Sequence, residues 1–207
     1  MGEITALSVQ SRDKTRCNVY VDGRFSCGLS VETVMKNRLT VGAQVDDAFL
    51  ARVQYEDEKD KALSKALGFV SLSQKTKKQV RDHLTKKGYL PAVVDYVLEK
   101  MADYKFVDDG VYATSYCEAA AKKKGKKLIQ MELRAKGVSD EDMTEALGDL
   151  DEESQRRAAS LVLTKYMRGK SADKETLQKA FRHLLSKGFD YESARSALSD
   201  IFDIDEQ

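Results

Sequence analysis

Apolar positions along this chain change period near residue 45. From Ile4 to Cys27 they tend to alternate: ITALSVQ alternates mildly, and CNVYVDGRFSC is rich in Val, Tyr and Phe around Asp22-Gly23. Alternation marks half-buried strands, and Asp-Gly between two such runs suits a two-residue type I′ turn, whose central residues both need positive φ. That register sets Cys27 opposite Asn18, on the face away from Cys17, which argues against a Cys17–Cys27 disulfide. SVETVMKNR then reads as a short helix capped by Ser30. From Asp46 onward the spacing is helical. Asp46 to Phe69 reads as one long helix or as two, and interleaved Glu and Lys from Tyr55 to Lys61 predict a middle exposed on all sides. Shorter helices follow, separated by Gly, Pro and Asp. Pro91 stands at a first turn, Ser139 with Asp142 resembles a capping box, and Asp173 and Asp190 suit N-caps.

The same pattern occurs three times. KKQVRDHLTKKG ends at Gly88, KKLIQMELRAKG at Gly137 and LQKAFRHLLSKG at Gly188, with separations of 49 and 51 residues. Lys87, Lys136 and Lys187 precede the glycines. Leu84, Leu133 and Leu184 stand four before them, and Val80, Ile129 and Ala180 eight before. Leu98, Leu147 and Leu198 follow ten after. Positions −8 and −4 share one helical face. Lys-Gly ends a helix, because the cation complements the negative dipole end and Gly accepts the left-handed C′ conformation. A helix precedes and another follows each core, so the unit is three helices, used three times.

Composition sharpens this. Of 207 residues 33% are charged, with 12 Gly and one Pro. Such a chain favours helices with long wet faces. The net charge is +1, so an electrostatic partner must meet a local patch. No apolar run approaches the ~20 residues of a membrane span. MGEITA lacks a signal-peptide pattern and is a poor myristoylation site. The expectation is a soluble cytoplasmic protein without membrane association, a compartment that also disfavours disulfides.

These motifs resemble the RecX family, regulators of the RecA recombinase. SQKTKKQVRDHLTKKGY (Ser73 to Tyr89) resembles the family's first repeat core, and KGKKLIQMELRAKGV (Lys124 to Val138) its second. FVDDGVYATSY (Phe106 to Tyr116) resembles the Asp-rich start of the second repeat. The resemblance covers about Asp60 to Phe202, and the strand-containing front is similar to that of the longer members. It implies a mainly α fold, an elongated curved array of three tandem three-helix repeats after a small N-terminal β-hairpin extension. The expected boundaries are 1–45 for the extension, 46–109 for a linker helix with the first repeat, 110–150 for the second and 151–207 for the third. It also implies binding to RecA and the RecA–DNA filament, limiting extension, strand exchange and ATP hydrolysis.

The residues themselves narrow the chemistry. His83 and His183 both lie five before a repeat glycine, where the second repeat has Glu132. They read as a repeat feature and not as metal ligands, which need three or four convergent groups. Cys117 on a helix reads as a small buried hydrophobe. KGKKL lacks the earlier Gly and the Ser or Thr of a phosphate loop, since Ala120 and Lys127 stand there. No catalytic motif, cofactor site or metal site is expected, so the chain reads as non-enzymatic. Tyr89, Tyr96, Tyr104, Phe106, Tyr112 and Tyr116 read mostly as core, with any exposed ones as interface anchors.

Charge remains. Lys122 to Gly137 holds seven Lys or Arg, and Ser139 to Ser154 eight acids and no base. Dipole matching accounts for part of that segregation, but not for five lysines in six positions. Lys75, Lys77, Lys78, Arg81, Lys86 and Lys87 form a similar set, and Arg156, Arg157, Lys165, Arg168 and Lys170 a third. Partner contacts are expected at Lys86, Lys87, Lys123, Lys124, Lys127, Arg134 and Lys136. The alternatives are a direct nucleic-acid binder built from helix-turn-helix-like units, with at least weak DNA binding, and an α-helical adaptor for another protein.

Overall fold

The computed structural model describes residues 1–202, with side chains as far as Asp200. Residues 203–207, the tail of the expected third repeat, lie outside the described residues. The chain divides into two compact units: Met1–Ser73 with Arg81–Phe106, and Gln74–Val80 with Val107–Gln207.

The first unit opens with strands β1 (Gly2–Val9), β2 (Arg16–Val21) and β3 (Arg24–Ser30), then helix α1 (Val31–Lys36) and strand β4 (Gln44–Val45). They form one antiparallel sheet in the order β3-β2-β1-β4. Asp22 and Gly23 have φ of 49° and 77°, as the Asp-Gly turn predicts. Alternate residues Cys17, Val19, Cys27 and Leu29 are buried with Ile4. The predicted Cys27 register fails. A shift between Val19 and Tyr20 pairs Cys27 with Val19, and Cys17 with Leu29. A bulge adds one residue to one strand, so Cys27 lies on the same face as Cys17. Ser30 caps α1 as expected, accepting from Thr33 N–H at 2.9 Å.

Asp46 to Phe69 lies in a single helix, α2 (Asp47–Val70), with Asp46 as N-cap. Its middle is not exposed on all sides: Asp57 is 2% exposed. Ser30 N–H and the Thr33 hydroxyl both donate to Asp57 Oδ1 at 2.8 Å, and Lys61 donates to Oδ2. The carboxylate thus closes the cap at the start of α1 from a neighbouring helix. Interleaved charge cannot reveal this, because the partners are 24 and 27 residues away.

Helices α3 (Lys77–Lys86), α4 (Pro91–Asp103), α5 (Asp109–Ala120), α6 (Lys126–Ala135), α7 (Asp140–Gly148), α8 (Glu152–Met167), α9 (Lys174–Ser186) and α10 (Tyr191–Phe202) complete three groups of three. Val80, Ile129, Ala180, Leu84, Leu133 and Leu184 are all 0% exposed. Leu98, Leu147 and Leu198 are also buried. Gly88, Gly137 and Gly188 have φ of 87°, 85° and 86°. In each case the glycine N–H bonds the carbonyl three residues back, at 2.9–3.0 Å, and the next residue bonds the repeat Leu carbonyl. This is the Schellman pattern, which satisfies carbonyls the helix leaves open. Pro91 is at the first turn of α4, and Ser139, Asp173 and Asp190 accept from backbone N–H groups three residues on. Ser139 reciprocates differently from a true capping box, since its hydroxyl donates to Asp142 Oδ2 at 2.7 Å.

In the second unit the repeat ends join. Gly125 N–H donates to Lys187 O at 2.8 Å, and Lys127 N–H to Gly188 O at 3.2 Å. The start of α6 thus receives the end of α9, positive dipole end to negative. Thr76 hydroxyl donates to Lys136 O at 2.7 Å, and Lys78 Nζ to Ala135 O at 2.8 Å, so the end of α6 is received in the same sense. A Cβ at Gly125 would lie 2.2 Å from the Gly188 backbone, and one at Gly137 2.6 Å from Lys78 Cβ. These glycines allow two chain segments to touch.

Candidate functional site

The link between α5 and α6 carries Lys122, Lys123 and Lys124, and the first turn of α6 carries Lys126 and Lys127, so the lysine run does bridge one helix end and the next start. Lys122, Lys123, Lys126 and Lys127 are exposed. Lys124 is half-buried. Its ammonium donates to Glu132 Oε1 and Oε2 at 2.6 and 2.7 Å, and Tyr116 OH donates to Oε2 at 2.6 Å. The bond to Glu132 holds the Lys124 pKa above its ordinary value. Burial pushes the Glu132 carboxyl up, but the bonds from Lys124 and Tyr116 outweigh it and leave the pKa low. Lys124 therefore fastens α5 to α6.

The other expected contacts differ in freedom. Lys86 and Lys87 are exposed at the end of α3. Arg134 is exposed and pairs with Asp140 at 2.8 Å, a contact that costs little to exchange. Half-buried Lys136 has its ammonium 5.9 and 5.5 Å from the ring centres of Tyr112 and Tyr116. Among the described residues no carboxylate forms an ion pair with Lys86, Lys87, Lys122, Lys123, Lys126 or Lys127. Lys122 and Lys126 belong with the candidate set on those grounds. Lys126 and Lys127 border a cavity of about 320 Å³ with Gln130, Thr144 and Asp190. In the other two basic sets Arg81 pairs with Asp95, Arg156 with Glu152 and Arg157 with Glu153, all at exposed positions.

The histidines are a repeat feature, as their spacing predicts. His83 stacks on Phe69 with ring centres 4.1 Å apart, and His183 on Tyr166 at 4.4 Å. At the same position Glu132 takes the Tyr116 hydroxyl. Each −5 side chain thus meets an aromatic of the first helix in its own repeat. Cys117 is buried, and burial pushes its thiol pKa up. Among the described residues no three or more His, Cys, Asp or Glu side chains are grouped to hold a metal, and no helix is long and apolar enough to cross a membrane. The aromatic expectation holds in part, since Tyr112 and Tyr116 pack against the second-repeat core. Tyr89, Tyr96, Tyr112 and Tyr116 are half-buried, while Tyr104 and Phe106 are exposed.

Comparison with known proteins matches four stretches of this layout. Residues 2–46 match the regulatory protein RecX N-terminal domain, 62–101 the first RecX three-helix domain, 108–147 the second and 151–198 the third. Regulatory protein RecX of Bacillus subtilis (strain 168) is 33% identical over 202 residues, covering 96% of this chain and 76% of that protein. Its counterpart from Clostridium tetani (strain Massachusetts / E88) is 31% identical, covering 96% and 94%. A crystal structure of regulatory protein RecX superposes with a TM-score of 0.67 at 26% identity, covering 94% of this chain and 98% of that one.

Proposed function

The chain belongs to the RecX family of regulatory proteins, and from that premise we propose that it binds RecA and the RecA–DNA filament in the cytoplasm. There it restrains filament extension, strand exchange and the associated ATP hydrolysis, acting as a regulator and not as a catalyst. The observation carrying the site is the set of exposed lysines without ion pairs at repeat-helix ends: Lys86 and Lys87 at the end of α3, Lys122 and Lys123 before α6, and Lys126 and Lys127 in its first turn. Arg134 and Lys136 extend the second group. Lys124 supports it by fixing the link against Glu132. Groups of exposed cations on successive repeats suit a partner with a long repeating acidic surface, where weak contacts add through effective concentration.

RecA ATPase on single-stranded DNA tests this. Stoichiometric protein should slow hydrolysis, and an unchanged rate counts against the proposal. Joint substitution of Lys86, Lys87, Lys123 and Lys127 by Glu should weaken filament affinity by at least ~10-fold, worth ~1.4 kcal/mol, with the fold retained and only the small fall in melting temperature that reversed charge at the end of α3 brings. Tight, steeply salt-dependent binding to naked DNA by the wild type would point to a direct nucleic-acid binder.

A further inference from the structure

The turn after α4 departs from the other helix ends of its kind. Lys105 N–H donates to Ala102 O at 2.9 Å and Phe106 N–H to Met101 O at 2.8 Å, the Schellman pattern again. Lys105 occupies the left-handed position with φ of 55°, where the three repeat cores use glycine. A side chain there is strained, and the dipole at a helix end returns part of that cost to a cation. The following residue normally packs back onto the helix. Val138, Phe189 and Leu39 do so, at 5%, 1% and 6% exposed. Phe106 does not: it is 54% exposed, and Tyr104 before it is 67% exposed. The two rings lie 6.3 Å apart. Among the described residues nothing forms an ion pair with the Lys105 ammonium. Arg38 holds the same strained position after α1, but its neighbours Asn37 and Leu39 are turned inward.

We propose that Tyr104, Lys105 and Phe106 form a protein-docking knuckle for a partner surface that sets a carboxylate beside an apolar depression. Two large rings supply apolar area at little conformational cost, and the cation between them selects an acidic neighbour. Exposed Asp103, immediately before Tyr104, offsets the Lys105 charge, and a ring pair with little net charge suits an apolar protein surface carrying one carboxylate better than a phosphate backbone. This site is separate from the lysine groups, and its assignment to the recombinase rests on the RecA-filament reading above.

The test measures binding to RecA filaments on single-stranded DNA, and to the same DNA without RecA. The double variant Tyr104→Ser/Phe106→Ser should lose at least ~10-fold in filament affinity with no fall in melting temperature. Lys105→Gly should raise the melting temperature, because strain is relieved, and still weaken filament binding. Wild-type affinity in both variants overturns the knuckle while leaving the filament reading intact. Failure of the wild type to bind filaments at all overturns that reading and this assignment with it. Loss confined to naked DNA overturns it in favour of a base-stacking platform. An unraised melting temperature for Lys105→Gly removes the strain argument and overturns the inference.

Discussion

Removing the Asp57 carboxylate strands three donors at once: Ser30 N–H, the Thr33 hydroxyl and the Lys61 ammonium. Orphaned buried partners cost more than the bond itself contributes, so Asp57→Ala should lower stability by ~3 kcal/mol in urea denaturation. Burial pushes this carboxyl up, but the bonds from Lys61, Ser30 and Thr33 outweigh it and leave its pKa below 3.8. The sign follows directly. Its stabilisation is complete above the unfolded value and is lost as pH falls through the lower folded one. The repeat glycines give a second residue-scale contrast. At Gly88 an added Cβ meets open space, so Gly88→Ala suffers only the left-handed backbone, ~1 kcal/mol. At Gly188 the Cβ would also lie 2.3 Å from the Leu128 backbone nitrogen. Gly188→Ala should therefore unfold at clearly lower urea concentration than Gly88→Ala.

Among the elements, α9 carries a titrating group whose pKa is shifted at the repeat position five before Gly188. His183 stacks on Tyr166, and burial, then Lys187 and Lys170, press its pKa below 6.5. The unfolded chain therefore takes the proton first as pH falls. Stability tied to neutral His183 is present above the unfolded value and is lost from about pH 6.5 downward. His183→Phe keeps a ring on Tyr166 and removes the proton site, so its melting temperature should fall less than that of wild type between about pH 7 and about pH 5. At the other end of α9 the Asp173 cap, held by Ser171 and Thr176, has its carboxyl pulled down to about 2. Its contribution is present above 3.8 and survives until far more acidic conditions.

At the scale of the molecule, the charge layout separates two uses of lysine. Some cations fasten elements together, as Lys61 does with Asp57, Lys78 with the Ala135 carbonyl and Lys124 with Glu132. Others stand exposed at helix ends. Lys124→Ala should therefore lower stability, releasing Tyr116 and Glu132, whereas Lys123→Ala should leave the melting temperature unchanged and act only on partner binding. Circular dichroism melts of the two variants separate these roles, although the residues are adjacent in the run.

The local code is largely legible along the chain. The Asp-Gly turn, the Ser30 and Asp173 caps, Pro91 and the Lys-Gly helix ends depend on contacts within a few residues. The threefold spacing of Leu and Gly identifies the buried face of each repeat, because helical period alone sets which positions share it. Tertiary structure decided everything that depends on distant partners. A bulge moved Cys27 onto the face of Cys17. A cap on α1 buried Asp57, and a backbone crossing at Gly188 explains Gly125. Among neighbouring lysines, only the fold determines which meets a carboxylate and which meets water. For the same reason no period reveals Phe106 turned outward, since a Schellman end looks alike in sequence whether or not its last side chain packs back.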